Sequence, residues 1–225
     1  MIPILFKNND FIVVNKPEEL NFHSEESAGL VVLVQQQLQV ESLYPVHRLD
    51  KMTSGLVVFA LNKQTAQRFQ VLFESRQIEK FYLAISDQKP KKKQGWIKGD
   101  MVPARRGSWM LTKTQQNPAI TQFISALIRP SERLFLLKPT TGKTHQLRVA
   151  MKSVSAPICG DQRYALSEQA KLEDRGYLHA YAIRFDLDDE LFEFVCPPDQ
   201  GQRFLATETL LLVAAWSQPW LMFKG

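Results

Sequence analysis

The sequence predicts an α+β fold with a mixed, largely antiparallel sheet flanked by helices. Its predicted strands come in adjacent groups and do not alternate strictly with helices, which is the pattern of an α+β domain. No Gly/Ser-rich linker, low-complexity block or internal repeat interrupts the 225 residues, a length that suits one generous domain. We therefore predict a single domain over residues 1–225.

Short β-branched or apolar runs identify the strands. Residues 11–15 and 55–61 are runs of this kind, and residues 78–86 alternate an apolar face with a mixed one. Further strands are predicted at 119–128, 134–138, 180–187 and 191–196, the first two as a pair that turns at 129–132.

Helices are fewer and are recognised by caps and apolar stripes. Asn62 can cap a helix that carries Ala66, Phe69 and Phe73 on one stripe, because an Asn side chain accepts a hydrogen bond from a first-turn N–H. Residues 29–40 and 201–216 predict two more helices. Another is predicted from Thr144, with apolar residues at the helical spacing of 147, 150, 151 and 154.

Composition and charge exclude several classes of protein. The 44% hydrophobic and 23% charged residues are ordinary for a globular chain, and two cysteines provide neither a disulfide scaffold nor a four-thiolate zinc site. The net charge of +5 fits a polyanionic partner. Residues 80–106 hold eight Lys or Arg against two acids. Within them, Lys91, Lys92 and Lys93 form either a solvated loop or a phosphate-binding one.

Membrane and export classes are disfavoured by length. The longest apolar stretches are far below the roughly 20 residues that span a bilayer. The N-terminus, MIPILFKNND, has no basic leader before its apolar run and no small-residue cleavage site. We expect a cytoplasmic protein with no membrane partner.

The segment TTGKT at 140–144 matches the end of a phosphate-binding P-loop, but that motif needs a glycine where Leu137 stands. This disfavours a nucleoside triphosphatase and any nucleotide cofactor. In the helix that follows, His145, Arg148 and Lys152 share one face near the N-terminus, where main-chain N–H groups also favour anions. The face is either an anion-binding surface or simply solvated.

The segment VHRLDKMTSG at 46–55 offers a candidate catalytic carboxylate. Asp50 precedes a turn that enters a predicted buried strand, beside His47 and Arg48. A turn-forming Asp paired with a neighbour is the alternative. A metal site from His47, Asp50, His145 and His179 has no recognisable ligand spacing, so we expect no metal.

Six ordered blocks resemble the RluA family of RNA pseudouridine synthases. Their centre is His47-Arg48-Leu49-Asp50 followed by Thr53-Ser54-Gly55-Leu56. The other blocks are VVNKP at 13–17, EKFYLA at 79–84, TGKTHQLRV at 141–149, PICGD at 157–161 with Tyr164, and LHA at 178–180. The chain departs from the family where Glu18, Ala150 and Ala165 replace a usual glycine, histidine and glycine. These departures affect substrate fit more than chemistry.

The resemblance implies an isomerase with a pseudouridine-synthase-like catalytic domain that converts uridine to pseudouridine within RNA. Asp50 would be the essential carboxylate, which attacks the ribose or the base or removes a sugar proton. Tyr82 would stack on the uracil and could take the proton from its carbon. Arg148 would pair with Asp50 and keep it ionised and aimed. Arg48 would help to fill the space left by the flipped base.

The remaining expectations concern partners. The predicted RNA-binding residues are His47, Arg48, Lys80, Lys143, His145 and Lys152. The resemblance implies a monomer that acts on rRNA or tRNA without a cofactor, and without the separate N-terminal RNA-binding module of many relatives. A catalytically silent RNA-binding protein and a glycoside hydrolase are alternatives. The first is opposed by the joint presence of Asp50, Tyr82 and Arg148, and the second by the lack of a second carboxylate in the Asp50 motif.

Overall fold

The structure is a computed structural model and describes residues 1–25 and 27–223. The strands and helices follow one another as β1 (Ile4–Lys7), β2 (Phe11–Lys16), α1 (Leu30–Leu38), β3 (Tyr44–Pro45), β4 (Ser54–Ala60), α2 (Lys63–Glu74), β5 (Glu79–Ser86), β6 (Gln94–Gly99), β7 (Met101–Pro103), β8 (Trp109–Leu111), β9 (Ala119–Arg129), β10 (Glu132–Pro139), α3 (Gln146–Ser153), α4 (Ser167–Ala170), β11 (Leu178–Leu187), β12 (Glu190–Val195) and α5 (Thr207–Ala215). Short 3₁₀ helices lie at Arg105–Gly107 and Pro219–Leu221.

Two compact units make up the chain. The first comprises Met1–Ile78 and Ala180–Pro197, and the second comprises Glu79–His179 and the segment that begins at Pro198. Each unit has antiparallel strand pairs and helices, so the predicted α+β class with a largely antiparallel sheet is confirmed.

In the first unit, β2 pairs with β1 and β4, and β11 pairs with β12, each time antiparallel. The strands β2 and β4 are buried over almost their whole length, as the uninterrupted apolar runs predict. Helix α2 begins after Asn62, whose side chain accepts the N–H of Thr65 at 2.8 Å. Phe69 of this helix packs edge-on against Phe11 and Phe185, with ring centroids 5.6 and 5.1 Å apart. This aromatic cluster is the core of the unit.

In the second unit, β10 lies between β5 and β9, and β6 pairs with the far side of β9. All of Leu134–Leu137 is fully buried, because β10 is a central strand whose two faces are covered. The predicted turn between β9 and β10 is confirmed by the pairing of Glu132 with Arg129. The β7–β8 hairpin is a separate two-stranded sheet.

The C-terminal helix begins later than predicted. The sequence pattern indicated a helix over 201–216, whereas α5 starts at Thr207. Gly201 adopts a φ of +100°, and the main-chain N–H groups of Gln202 and Arg203 donate to the Asp174 carboxylate and the Tyr177 hydroxyl. These tertiary partners hold the first six residues as a loop, so that part of the prediction is wrong.

Candidate active site

Asp50 lies half-buried in the loop between β3 and β4. The N–H of Thr53 donates to the Asp50 carbonyl at 3.0 Å and closes a tight turn. Leu49 and Thr53, on either side of this turn, are buried, whereas Arg48 is exposed. The chain is therefore anchored before and after Asp50, and Asp50 itself is only half-buried.

A fully buried lysine fastens this turn. The Lys16 ammonium donates to the carbonyl oxygens of Pro17, Lys51 and Thr53 at 2.9, 3.0 and 2.8 Å. Three carbonyls thus accept the three ammonium N–H groups, which offsets the cost of removing a charge from water. Two of these carbonyls belong to the residues one and three positions after Asp50, so Lys16 is a structural anchor of the Asp50 loop. Lysine is rarely buried, and the sequence pattern alone did not indicate this role.

His47 connects the same loop to β4. Its Nε2 accepts the N–H of Val58 at 3.0 Å, and its ring centroid lies 5.5 Å from that of Phe73. An acceptor at Nε2 requires the ring proton at Nδ1 in the neutral form. This geometry gives His47 a role in holding the loop, and its contact with RNA stays a prediction.

Gly55 permits a close approach of two strands behind the Asp50 loop. It has a φ of +106°, and a Cβ atom there would lie 2.3 Å from the carbonyl oxygen of Ala180 on β11. No side chain fits at that distance, and the backbone conformation is one that L-residues rarely adopt. Gly55 is therefore required by the packing at this position.

Tyr82 and Lys80 lie on one face of β5. Phe81, Leu83 and Ile85 point into the core and are fully buried, whereas Lys80 and Tyr82 are half-buried, as the alternation predicted. Burial lowers the pKa of Lys80 to about 8. A Cβ atom on Gly142 would lie 3.8 Å from Lys80 Nζ, so the ammonium is next to the loop at 140–144.

The 140–144 loop is shaped by Gln146, which is almost fully buried. Its Oε1 accepts the Thr141 hydroxyl and the Lys143 N–H at 2.7 and 3.1 Å, and its Nε2 donates to Ile120 and Thr121 at 3.0 Å each. The Lys143 ammonium donates to the Asn117 carbonyl. The side chain of Gln146 therefore fixes the conformation of the 140–144 loop.

The three basic residues predicted on one face of the following helix do lie on one side of it, but this face is not simply solvated, because Tyr164 packs against it. Helix α3 begins at Gln146, and His145 precedes it in the left-handed conformation with a φ of +57°. Arg148 is buried, whereas Lys152 is exposed. All three side chains contact Tyr164. Its ring centroid lies 5.7 Å from that of His145, 5.1 Å from Arg148 Cζ and 5.8 Å from Lys152 Nζ.

Arg148 forms a buried ion pair that the sequence analysis missed. Its Nε and Nη2 donate to the two carboxylate oxygens of Asp161, each at 2.8 Å. Asp161 lies in the PICGD block, and the family resemblance implied no role for it. The signal that could have identified it is an arginine between the apolar positions Leu147 and Val149, since a buried arginine needs an acidic partner. Its pairing partner is set by the tertiary fold, which spacing does not reveal.

A second group of polar side chains, Asp87, Cys159 and Glu173, lies close together elsewhere in the second unit. Burial, with a smaller contribution from Asp87, raises the pKa of the Cys159 thiol to about 12, which keeps it protonated and unreactive. The Glu173 carboxylate is occupied by Arg203, whose Nε and Nη2 donate to it at 2.8 and 2.5 Å. This group is better described as part of the fold than as a metal site.

The predicted site residues are distributed over both units. The first contains His47, Arg48 and Asp50, and the second contains Lys80, Tyr82, Lys143, His145, Arg148 and Lys152. Within the second unit, the structure places Lys80 next to the 140–144 loop and gathers His145, Arg148 and Lys152 around one tyrosine.

Comparison with known proteins decides the family. The family model described as RNA pseudouridylate synthase matches residues 10–153. An uncharacterized RNA pseudouridine synthase of Haemophilus influenzae is 50% identical over 89% of each chain. The chain belongs to the RNA pseudouridine synthase family. The dual-specificity RNA pseudouridine synthase RluA of Salmonella typhi is 32% identical over 79% of this chain and 83% of its own length, which supports the RluA branch of the family.

The fold of this chain is similar to that of a solved RNA pseudouridine synthase structure. Human RNA pseudouridylate synthase domain containing 1 superimposes with a TM-score of 0.76, over 97% of this chain and 95% of its own, at 25% identity. The chain matches 63% of the length of ribosomal large subunit pseudouridine synthase D of Borreliella burgdorferi, at 29% identity. It matches 62% of the length of ribosomal large subunit pseudouridine synthase C of Rickettsia bellii, at 31% identity.

In residues 1–25 and 27–223, no helix is long and apolar enough to cross a membrane. The protein is an isomerase that forms pseudouridine in RNA.

Proposed function

We propose that this pseudouridine synthase acts on a flipped-out uridine of structured rRNA or tRNA, with Asp50 as its essential carboxylate. The observation that carries the proposal is the anchored turn around Asp50. The buried Lys16 and the Thr53 N–H hold the main chain there, and Asp50 itself is half-buried. A carboxylate held this way is pre-organised for attack or proton abstraction.

The reaction breaks the bond from ribose C1′ to uracil N1 and forms a bond from C1′ to uracil C5. The proton on C5 is lost to solvent, and N1 gains one, so no electrons are gained or lost overall. The base has to leave the helical stack before it can turn. We propose that Tyr82 stacks on it and takes the C5 proton, and that Arg48 helps to fill the vacated space. Asp50 attacks ribose, attacks the base or removes a sugar proton, and these three routes remain alternatives.

Arg148 completes the proposed chemistry through its positive charge. Pairing between Arg148 and Asp50 is still the prediction made from the sequence. His47, Lys80, Lys143, His145 and Lys152 are proposed to contact the RNA backbone, together with the basic 80–106 stretch. Phosphate contacts of this kind supply most of the binding free energy. The name of the dual-specificity relative supports keeping both RNA classes as candidate substrates. We further propose a cytoplasmic monomer that needs no cofactor.

Release of tritium from uracil C5 tests this proposal. The substrate is total RNA, labelled with tritium at C5 of uridine, from cells that lack the gene. We expect the purified protein to release tritium and to leave pseudouridine in the RNA. Failure to do so with both rRNA and tRNA fractions would contradict the proposed substrate class.

Changing Tyr82 to Phe separates the ring from the hydroxyl. Stacking survives in the variant, so we expect RNA affinity within about threefold of wild type. Loss of the proton acceptor should lower turnover by about 100-fold or more, the usual contribution of general acid–base catalysis. Tritium release at saturating RNA measures turnover, and Tyr44→Phe, which alters a half-buried tyrosine on β3, is the matched control. Wild-type turnover by Tyr82→Phe would restrict Tyr82 to stacking.

The lowered pKa of Lys80 predicts a pH-dependent affinity for RNA. Below pH 8 its ammonium is charged, and above pH 8 it becomes neutral while ordinary lysines remain charged. We therefore expect the Kd for RNA to rise by up to about tenfold per pH unit between pH 8 and pH 9.5. Arginine stays charged in this range, so Lys80→Arg should flatten the dependence.

Filter binding at constant ionic strength measures this Kd. The exposed Lys92 serves for comparison, because Lys92→Arg should keep the wild-type pH dependence. A wild-type Kd that stays constant from pH 7 to pH 9.5 would remove Lys80 from the RNA contacts.

A further inference from the structure

Asp161 is a fully buried carboxylate, and both of its oxygens accept hydrogen bonds. Its Oδ2 accepts Arg148 Nε at 2.8 Å. Its Oδ1 accepts Arg148 Nη2 at 2.8 Å and the main-chain N–H groups of Arg163 and Tyr164 at 3.0 and 3.2 Å. A carboxylate held by its own turn and by a guanidinium has little freedom to move, so it fixes the position of Arg148.

The turn that carries Asp161 is itself fixed in place. The preceding Gly160 has a φ of +76°, and a Cβ atom there would lie 1.9 Å from the carbonyl oxygen of Arg175. Main-chain bonds join Cys159 to Ile85 and Tyr177, each at 2.9 Å. The PICGD block is thereby attached to the end of β5, the strand that carries Tyr82. Through Asp161, Arg148 is thus held in place relative to β5.

Tyr164 supports the guanidinium from another direction. Its ring centroid lies 5.1 Å from Arg148 Cζ, and its hydroxyl accepts the Trp109 N–H and contacts His145 Nδ1, both at 2.9 Å. Arg148 is therefore held at one edge by Asp161 and at one face by Tyr164. Because Asp161 uses the N–H of Nε and one N–H of Nη2, further partners of Arg148 have to approach the opposite end of the planar group, where Nη1 and the second N–H of Nη2 donate.

We propose that Asp161 is a positioning residue for the isomerisation: it aims the Nη1 side of Arg148 at the reacting groups. This inference rests on the proposed function, in which the positive charge of Arg148 takes part in the chemistry. Asp161 acts through Arg148 and touches no reacting atom. Its contribution should therefore be visible in turnover and not in the affinity for RNA.

The central test is Asp161→Asn, which keeps the shape of the side chain. One of the two oxygens that face Arg148 is replaced by an NH2 donor, and the other becomes an uncharged acceptor. We expect turnover at saturating RNA to fall by about 10- to 100-fold, the strength of a hydrogen bond to a charged group, with KM within about threefold. The matched control is Glu173→Gln, which removes the comparable two-pronged pair with Arg203. It should lower thermal stability but keep wild-type turnover per folded molecule.

Two further variants keep the test decisive if Asp161→Asn folds poorly. Asp161→Glu retains the charge but moves the carboxylate by one methylene, so turnover per folded molecule should fall, and the melting temperature, measured alongside, gives the cost of the extra methylene in the buried site. In an Arg148→Lys background, Asp161→Asn should lower turnover by less than about threefold more, because residues that act as a unit are not additive.

Wild-type turnover by a folded Asp161→Asn or Asp161→Glu would overturn this inference and leave the proposed function intact. The inference would also be overturned if Asp161→Asn lowered turnover by as large a factor in the Arg148→Lys background as in the wild-type protein. Absence of tritium release by the wild-type protein would instead remove the proposed function, and this inference with it.

Discussion

Asp50→Asn is expected to abolish pseudouridine formation and to leave RNA binding almost unchanged. The amide can neither attack carbon nor accept a sugar proton, so the chemical step loses its essential group. Removal of such a group lowers turnover by at least about 10⁴-fold. Affinity should stay within about threefold of wild type, because it depends mainly on phosphate contacts.

Tritium release and filter binding measure the two quantities on the same preparation. Asp188→Asn is the matched control, since it makes the same change at an exposed acid of the first unit that pairs with Arg68. It should release tritium at the wild-type rate. Release near that rate by Asp50→Asn would remove Asp50 from the chemistry.

Arg148→Ala is expected to damage both activity and stability. The substitution leaves the fully buried Asp161 without its charged partner, and loss of one member of a buried ion pair costs about 3–5 kcal/mol of unfolding free energy. Turnover should fall as well, because the proposed site loses its positive charge. Arg148→Lys should recover only part of both quantities, since an ammonium cannot match the two-pronged geometry.

Urea unfolding and tritium release measure these losses. Arg184→Ala is the control, because Arg184 pairs with Glu193 at 3.1 Å with about one third of each side chain exposed. Such a partly exposed pair contributes about 0–1 kcal/mol. Equal losses of stability in Arg148→Ala and Arg184→Ala would contradict the assigned importance of the Asp161 pair. Full rescue of turnover by Arg148→Lys would show that charge alone is needed.

Elements with a strong local pattern were predictable. The alternation in β5, the apolar runs of β2 and β4 and the Asn62 cap of α2 all correspond to local physics, and the structure confirms them. The helix predicted over 201–216 failed in its first turns because Asp174 and Tyr177, distant in sequence, bind its main-chain N–H groups. A local pattern carries no information about such partners.

In the candidate site, too, some residues could be identified from the sequence, whereas the residues that support them could not. The ordered blocks identified Asp50, Tyr82 and Arg148 as candidates, and their roles stay predictions. The supports of these residues were not foreseen. Lys16 would be expected at the surface, yet it is buried under three carbonyls, and Asp161 is 13 residues from the arginine that it holds. Both depend on how the chain returns on itself, which composition and spacing do not specify.

Mapping pseudouridines across total RNA tests the central claim most directly. Three strains are compared at single-nucleotide resolution: one with the wild-type gene, one with the gene deleted and one with the Asp50→Asn gene in its place. We expect at least one uridine of rRNA or tRNA to be modified in the first strain and unmodified in the other two, with equal protein levels in the first and third. Identical pseudouridine maps in all three strains would contradict the account.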